Sequence, residues 1–333
     1  MNYKIFANKV LAYLSFLLKL EKSPAKPLLW QIEPTNACMM NCVMCPRKNM
    51  KRKVGFMDLN LFKKIIDQAK YNDHLLMHHY GDPLIHPKID EMIRYVRSKG
   101  IIPGMSVNPK LLTRKMCERL IDAGLGVIII SLDGIDDKTY KYYRGKEANY
   151  DEAVKNINTL IEVKREKNSD LYVEVQMIKM KKTKGDTEKF EKLWNKDGVN
   201  KVAIKPFITF DGSDQEIINQ ADEETLSKKF KEKQKPNCSW PWVSLVVMWD
   251  GKVVTCCYDY DGKYVVGDLN KESLREIWNN KKMRLIRRQI KNNELHQNPL
   301  CKTCFDTRND HIGERIKEYL KEMMKEKHLP EKI

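Results

Sequence analysis

Acidic residues are in short supply in this chain of 333 residues, 45 against 61 lysines and arginines, and the net charge is +16. Such a surplus is compatible with nucleic acid, an anionic membrane or a phosphorylated substrate. The compact arginine block with interleaved aromatics that nucleic-acid binding would want is missing. The lysines are scattered among glutamates as on a solvated face, so no nucleic-acid partner is expected. Also missing is any uncharged run approaching the ~20 apolar residues that a membrane span requires. The apolar N-terminus, YKIFANKVLAYLSFLLKL, is broken by lysines at 4, 9 and 19, and no clear small-residue cleavage site follows it. Residues 1–27 read as an amphipathic helix packed on the body of the protein, with peripheral contact with a membrane as the alternative. A paired disulfide framework is absent as well. The nine cysteines are odd in number and clustered, which points to metal ligation in a reducing, cytoplasmic setting.

What is present is an ordinary hydrophobic fraction of 42% and a regular alternation. Short apolar runs at 28–33, 75–80, 101–107, 126–132, 171–178 and 200–207 read as strands, with helical patterns between them. Asp58 is a good helix N-cap, and Gly100 and Gly124 close two of the helices. The alternation predicts an α/β fold, a partial (β/α)6 barrel of parallel strands over 28–210. Six units are too few for a closed barrel of eight, and the functional groups belong at the C-terminal ends of the strands. Residues 211–237 are polar and read as a linker. Residues 238–310 form a small cysteine-rich domain, and 311–333 read as a charged C-terminal helix.

Cys38, Cys42 and Cys45 follow the first strand in the stretch EPTNACMMNCVMCPR. Three convergent thiolates hold a [4Fe–4S] cluster with one iron left open, and an open metal position is a reaction site. A zinc ion completed by a distant His or Cys is the competing reading of that spacing.

This stretch resembles the signature loop of the radical S-adenosylmethionine (SAM) enzymes. The resemblance covers residues 28–208 and implies that the amino and carboxylate groups of SAM chelate the open iron. An electron from the cluster then yields a 5′-deoxyadenosyl radical that takes a hydrogen atom from substrate. Met44 stands where an aromatic is usual before the last cysteine, and can still pack on an adenine. YGDP, with Gly81 and Asp82, is similar to the family's turn ending in Glu-Pro, Asp82 replacing Glu and Tyr80 the first Gly. Asn108 matches the ribose-reaching segment, although Pro109 stands where Gly is usual, and Ser131 and Arg144 match the groups near the methionine carboxylate. The resemblance also implies an external one-electron reductant such as flavodoxin or ferredoxin.

The later cysteines run Cys238, then Gly251 and Cys256, then Cys301 and Cys304. They resemble the auxiliary-cluster domain called SPASM in its full form and twitch in its short form. Here the second half is reduced, so four thiolates remain and one fully ligated [4Fe–4S] cluster is implied, two clusters in all. A four-cysteine zinc ribbon has the right ligand count but favours two close C-x2-C pairs, and only one is present. Cys117 reads as a small core residue. Cys257, next to a ligand, is the candidate catalytic thiol: an extended backbone would turn it away from Cys256, toward either the core or a cavity where it could return a hydrogen atom to a substrate radical.

A fully ligated auxiliary cluster can relay an electron. The expected function is therefore oxidation or epimerisation of a small polar molecule such as a sugar or amino-cyclitol. A maturase of ribosomal peptides is the second reading. It is disfavoured because only about 30 residues precede the first strand, too few for a recognition domain. A non-catalytic iron–sulfur carrier is the third, and it leaves the rim motifs unexplained.

Overall fold

Runs of branched aliphatic residues set the centre of the sheet. Ile128, Ile130, Val173, Val175 and Met177 have no exposed surface, as parallel strands covered on both faces require. The structure, a computed structural model, describes residues 3–210, 212–224, 226 and 238–304. The parallel strands are β1 (Leu29–Ile32), β2 (His74–Leu76), β3 (Ile102–Val107), β4 (Val127–Ser131), β5 (Tyr172–Lys179) and β6 (Lys201–Pro206). The expected alternation is thus present, with α2 (Leu59–Ile66) to α7 (Thr187–Trp194) on the connections. In α3 (Ile89–Ser98) the buried residues are Ile89, Met92, Ile93 and Val96, one apolar stripe at helical spacing. Asp58 caps α2 by accepting from the Asn60 and Leu61 amides.

Two boundaries differ from the expected ones. β2 stops at Leu76 instead of continuing to residue 80, because the Ser106 amide of β3 donates to His78 Nδ1 (3.0 Å) rather than to a β2 carbonyl. Within 211–237, residues 215–218 form a short helix, α8 (Gln215–Ile218), capped by Asp214. Ile217 and Ala221 are buried against Met44, Tyr143 and Phe207, so this stretch packs on the signature loop where a solvated linker was expected. The expected helix at 311–333 lies outside the described residues.

The sheet does not end with the barrel. β7 (Leu245–Val247) pairs parallel to β1, with Leu29 beside Leu245 and Ile32 beside Val247. β8 (Lys252–Val254) and β9 (Val265–Asp268) then continue antiparallel, giving one nine-stranded sheet of order β6-β5-β4-β3-β2-β1-β7-β8-β9. Around this extension lie α9 (Trp240–Val243), α10 (Leu274–Trp278) and α11 (Lys281–Lys291).

The N-terminal helix α1 (Tyr3–Leu17) buries Asn8, Ala12, Ser15 and Phe16. Phe16 packs on Trp242 at 5.6 Å between rings, the Trp242 indole donates to the Leu20 carbonyl (2.7 Å), and Lys9 pairs with Asp73 (2.5 Å). Among the described residues no helix is long and apolar enough to cross a membrane.

Candidate cluster and cofactor site

The chain leaves β1 at Ile32 and the cysteine loop begins. It is tied down by backbone bonds: the Asp82 amide donates to the Ala37 carbonyl (2.8 Å) and the Val43 amide to the Tyr143 carbonyl (3.0 Å). Gly81 is obligatory here. Its φ is +100°, and a Cβ would lie 2.6 Å from the Thr35 oxygen and 2.7 Å from the Ala37 oxygen.

The loop brings its three thiols together. Burial raises the Cys38 thiol above its usual value, and burial together with the neighbouring Cys42 and Cys38 pushes Cys45 to about 12. Thiols that oppose each other's ionisation in a shared buried place suit a centre whose positive charge would hold them as thiolates.

The other residues read from the sequence line the same chamber, of about 1510 Å³. Met44 is buried beside Tyr143 and Phe207. Burial raises the Asp82 carboxyl to about 6, although its Oδ1 accepts from the Leu84 amide (3.0 Å). Asn108 uses its oxygen to accept from the Lys110 amide (2.9 Å), and Ser131 accepts from Gln176 (2.8 Å). Arg144 is paired with the wholly buried Asp133 and reaches Cys42 Sγ at 3.8 Å. Burial works against its charge, and Asp133 and Cys42 more than offset that, so the guanidinium is held above its ordinary value. Its Nε is buried with no hydrogen-bond partner in the protein. An unmet cationic donor beside three thiols fits the carboxylate of an amino-acid cofactor.

The second cysteine set is built differently. Cys238, Cys256, Cys301 and Cys304 line one small cavity whose remaining wall is mostly apolar, including Ile286, Ile290, Leu295 and Leu300. Burial, then Cys238, Cys256 and Cys304, raises the Cys301 thiol well above its usual value. Among the described residues no group of three or more His, Cys, Asp or Glu side chains is arranged to hold a single metal ion.

Cys257 is not on an extended strand, contrary to expectation. The Asp259 amide donates to the Cys256 carbonyl (3.2 Å) and closes a turn. The two thiols still part company: Cys256 lines the small cavity and Cys257 the large chamber.

Between the two sets lies a group that the sequence did not announce. Glu33, fully buried, accepts from both Arg52 Nη atoms (2.5 Å each), from the Tyr80 amide (3.2 Å) and from the Trp249 amide (3.1 Å). Burial opposes its charge, but Arg52 and His79 hold the carboxyl down at about 2. Arg52 also donates to the Tyr260 carbonyl (2.7 Å). The Tyr80 hydroxyl donates to the Cys257 carbonyl (3.1 Å), and His79 Nε2, 2.9 Å from the same acceptor, carries its proton there. The short motif HHY beside the expected turn was the only visible trace of this network.

Residues 32–189 match the family model of the radical SAM superfamily, and residues 238–305 match that of the SPASM iron–sulfur cluster-binding domain. These matches give the chain a radical SAM domain followed by a SPASM domain. Both domains are ones that bind iron–sulfur, the first together with SAM. This radical SAM chain is 34% identical over 105 residues to the tungsten-containing aldehyde ferredoxin oxidoreductase cofactor-modifying protein of Pyrococcus furiosus, over 31% of this chain and 30% of that one. It is 25% identical over 284 residues to the S-adenosyl-L-methionine-dependent 2-deoxy-scyllo-inosamine dehydrogenase of Niallia circulans, over 82% of this chain and 91% of the relative. Several curated relatives are spanned only in part, 30%, 36% and 59% of their lengths in three cases. Among solved structures, Streptococcus suis SuiB bound to precursor peptide SuiA shares the fold, with a TM-score of 0.65 at 14% identity over 88% of this chain and 74% of that one.

Proposed function

We propose that the protein takes a hydrogen atom from a small polar substrate of the sugar or amino-cyclitol class, giving oxidation or epimerisation in a reducing cytoplasm. In this reading Cys38, Cys42 and Cys45 hold one [4Fe–4S] cluster, and Cys238, Cys256, Cys301 and Cys304 hold a second. The first cluster and SAM, when bound and reduced by an external donor such as flavodoxin or ferredoxin, supply a 5′-deoxyadenosyl radical. Arg144 directs its unmet Nε–H to the methionine carboxylate, Met44 packs on the adenine, and Gly81 lets the backbone approach the amino group. Asn108 and Ser131 add polar contacts.

One observation carries this reading: the three-thiol loop, a polar barrel floor and Cys257 share a single chamber. The floor includes Gln31, His78, Ser106 and Gln176. Burial, and then His79, lowers His78 to about 3, so near neutral pH this floor is polar but uncharged. Lys179, Lys205 and Glu224 give charged groups on the same wall. Within a lining that is otherwise largely apolar, this polar strip suits hydroxyls and amines. The alignment with the amino-cyclitol dehydrogenase over most of both chains supports the same class. A peptide substrate is the second reading. The chamber's volume of about 1510 Å³ must also hold the cluster and SAM, so its size beside the roughly 300–1,000 Å³ of ordinary small-molecule pockets leaves both readings open.

The experiment is anaerobic reconstitution followed by SAM, a strong reductant, and a panel of amino-cyclitols and sugars deuterated at carbon. Deuterium transfer into 5′-deoxyadenosine identifies the substrate. Absence of 5′-deoxyadenosine under all conditions would refute the radical reading. Uptake of one solvent deuterium at an inverted carbon, lost in Cys257→Ala, marks epimerisation with Cys257 as donor. An oxidised product with full activity in that variant marks oxidation.

A further inference from the structure

The N-terminal helix is apolar nearly all round, yet only one side of it is covered. Opposite its buried face, Tyr3, Val10, Leu11, Leu14, Leu17 and Leu18 are 79%, 38%, 38%, 45%, 52% and 67% exposed. Single exposed leucines are ordinary, whereas six large apolar side chains along one short segment form a patch that marks a contact surface. The first 20 residues contain no acidic side chain and three lysines, and Lys22 and Lys26 follow. The first acid, Glu21, is held by Arg288 (2.8 Å).

A basic helix packs near the C-terminal end of α1. α11 meets the end of α1 through Phe16, which shares a core with Ile286 and Ile290, and through the Glu21–Arg288 pair. Its outward side carries Lys281, Arg284, Arg288 and Lys291 with the half-exposed Leu285, and no acid. A leucine face bordered by a basic helix is the arrangement of a protein that lies on an anionic interface, its apolar side chains sunk at the headgroup level and its cations among the phosphates.

We propose that α1 and α11 together dock this protein on an anionic lipid bilayer. A second copy of the chain fits less well, since a two-fold contact would set one basic helix against its twin. Val10 and Leu14 also line the large chamber, so the docked surface and the chamber share a wall. The proposal is independent of the reaction class and is tested without turnover.

The test is co-sedimentation of the reconstituted full chain with vesicles of phosphatidylcholine alone and of phosphatidylcholine mixed with phosphatidylglycerol. Binding to the mixed vesicles only, weakened by salt, is expected. Combining L11E, L17E and L18E, none of which lines the chamber, should reduce it at least about tenfold, with the melting temperature and 5′-deoxyadenosine formation unchanged. R284E with K291E should remove the salt dependence. No binding by the wild type overturns the proposal, as does equal binding by the leucine variant. A dimer seen by light scattering that the leucine variant abolishes, without vesicle binding, overturns it in favour of a second copy. Binding that appears only after removal of residues 305–333 overturns it for the full-length chain.

Discussion

The two cysteine sets differ in what surrounds them more than in how many thiols they hold. The Cys38–Cys45 loop opens on a large chamber whose largely apolar lining carries a polar strip and several charged groups, and one guanidinium donor beside it is unmet. The Cys238, Cys256, Cys301 and Cys304 set closes on a small cavity walled largely by aliphatic side chains. An open site admits a cofactor and substrate. A small apolar cavity leaves little room for a substrate, although Cys238 also borders the large chamber, and electron relay is the role we propose for it. Cysteine count alone would have ranked the second set as the fuller site. The environment assigns the chemistry to the first.

The largest effects should come from breaking one set at a time. Changing Cys38, Cys42 and Cys45 to Ala should abolish 5′-deoxyadenosine formation and leave about four of the about eight irons expected for two clusters, as read by iron and sulfide assay. Cys301→Ala should leave a similar iron count but spare cofactor cleavage while abolishing substrate turnover. Equal effects of the two changes on cleavage would erase the distinction between the sets.

Next comes the clamp between them. Glu33→Gln leaves Arg52 buried without its countercharge and should destabilise by about 3–5 kcal/mol, measured by denaturant unfolding. The carboxyl is held at about 2 against an ordinary 4.5. Its contribution is therefore full above pH 4.5 and is lost as pH falls from there through about 2. The variant should show a flatter stability profile in that window.

Arg144→Ala should weaken SAM binding by about 1–3 kcal/mol, the scale of a charge-assisted hydrogen bond, by titration of the reconstituted protein. Unchanged affinity would remove Arg144 from the open site. The smallest effect is that of Tyr80→Phe, which removes one bond to the Cys257 carbonyl and should cost about 0.5–1.5 kcal/mol of stability.

The alternation of apolar runs and capped helices carried the barrel, since strand and helix periodicity are local properties of neighbouring residues. The close spacing of Cys38, Cys42 and Cys45 was legible in the sequence, while the second set was read from a family resemblance. Contacts that depend on distant partners were not. Nothing around Arg52 announces Glu33, nothing around Tyr80 announces the Cys257 carbonyl 177 positions away, and nothing in the polar stretch after residue 211 foretells that Ile217 will cover Met44. The turn at Cys256–Asp259 was hidden because the VVTCC run reads as a strand.

The pairing of β1 with β7 has a consequence for synthesis. One edge of β1 finds its partner only when the chain reaches Leu245. At roughly 5–20 residues per second, the roughly 200 intervening residues take on the order of 10–40 s to emerge. For that interval the nascent barrel presents a bare apolar strand edge, the template for pairing with a neighbouring chain. Cutting the protein after the barrel would make that interval permanent, so the piece carrying the signature loop is predicted to associate edge to edge when produced without its second module.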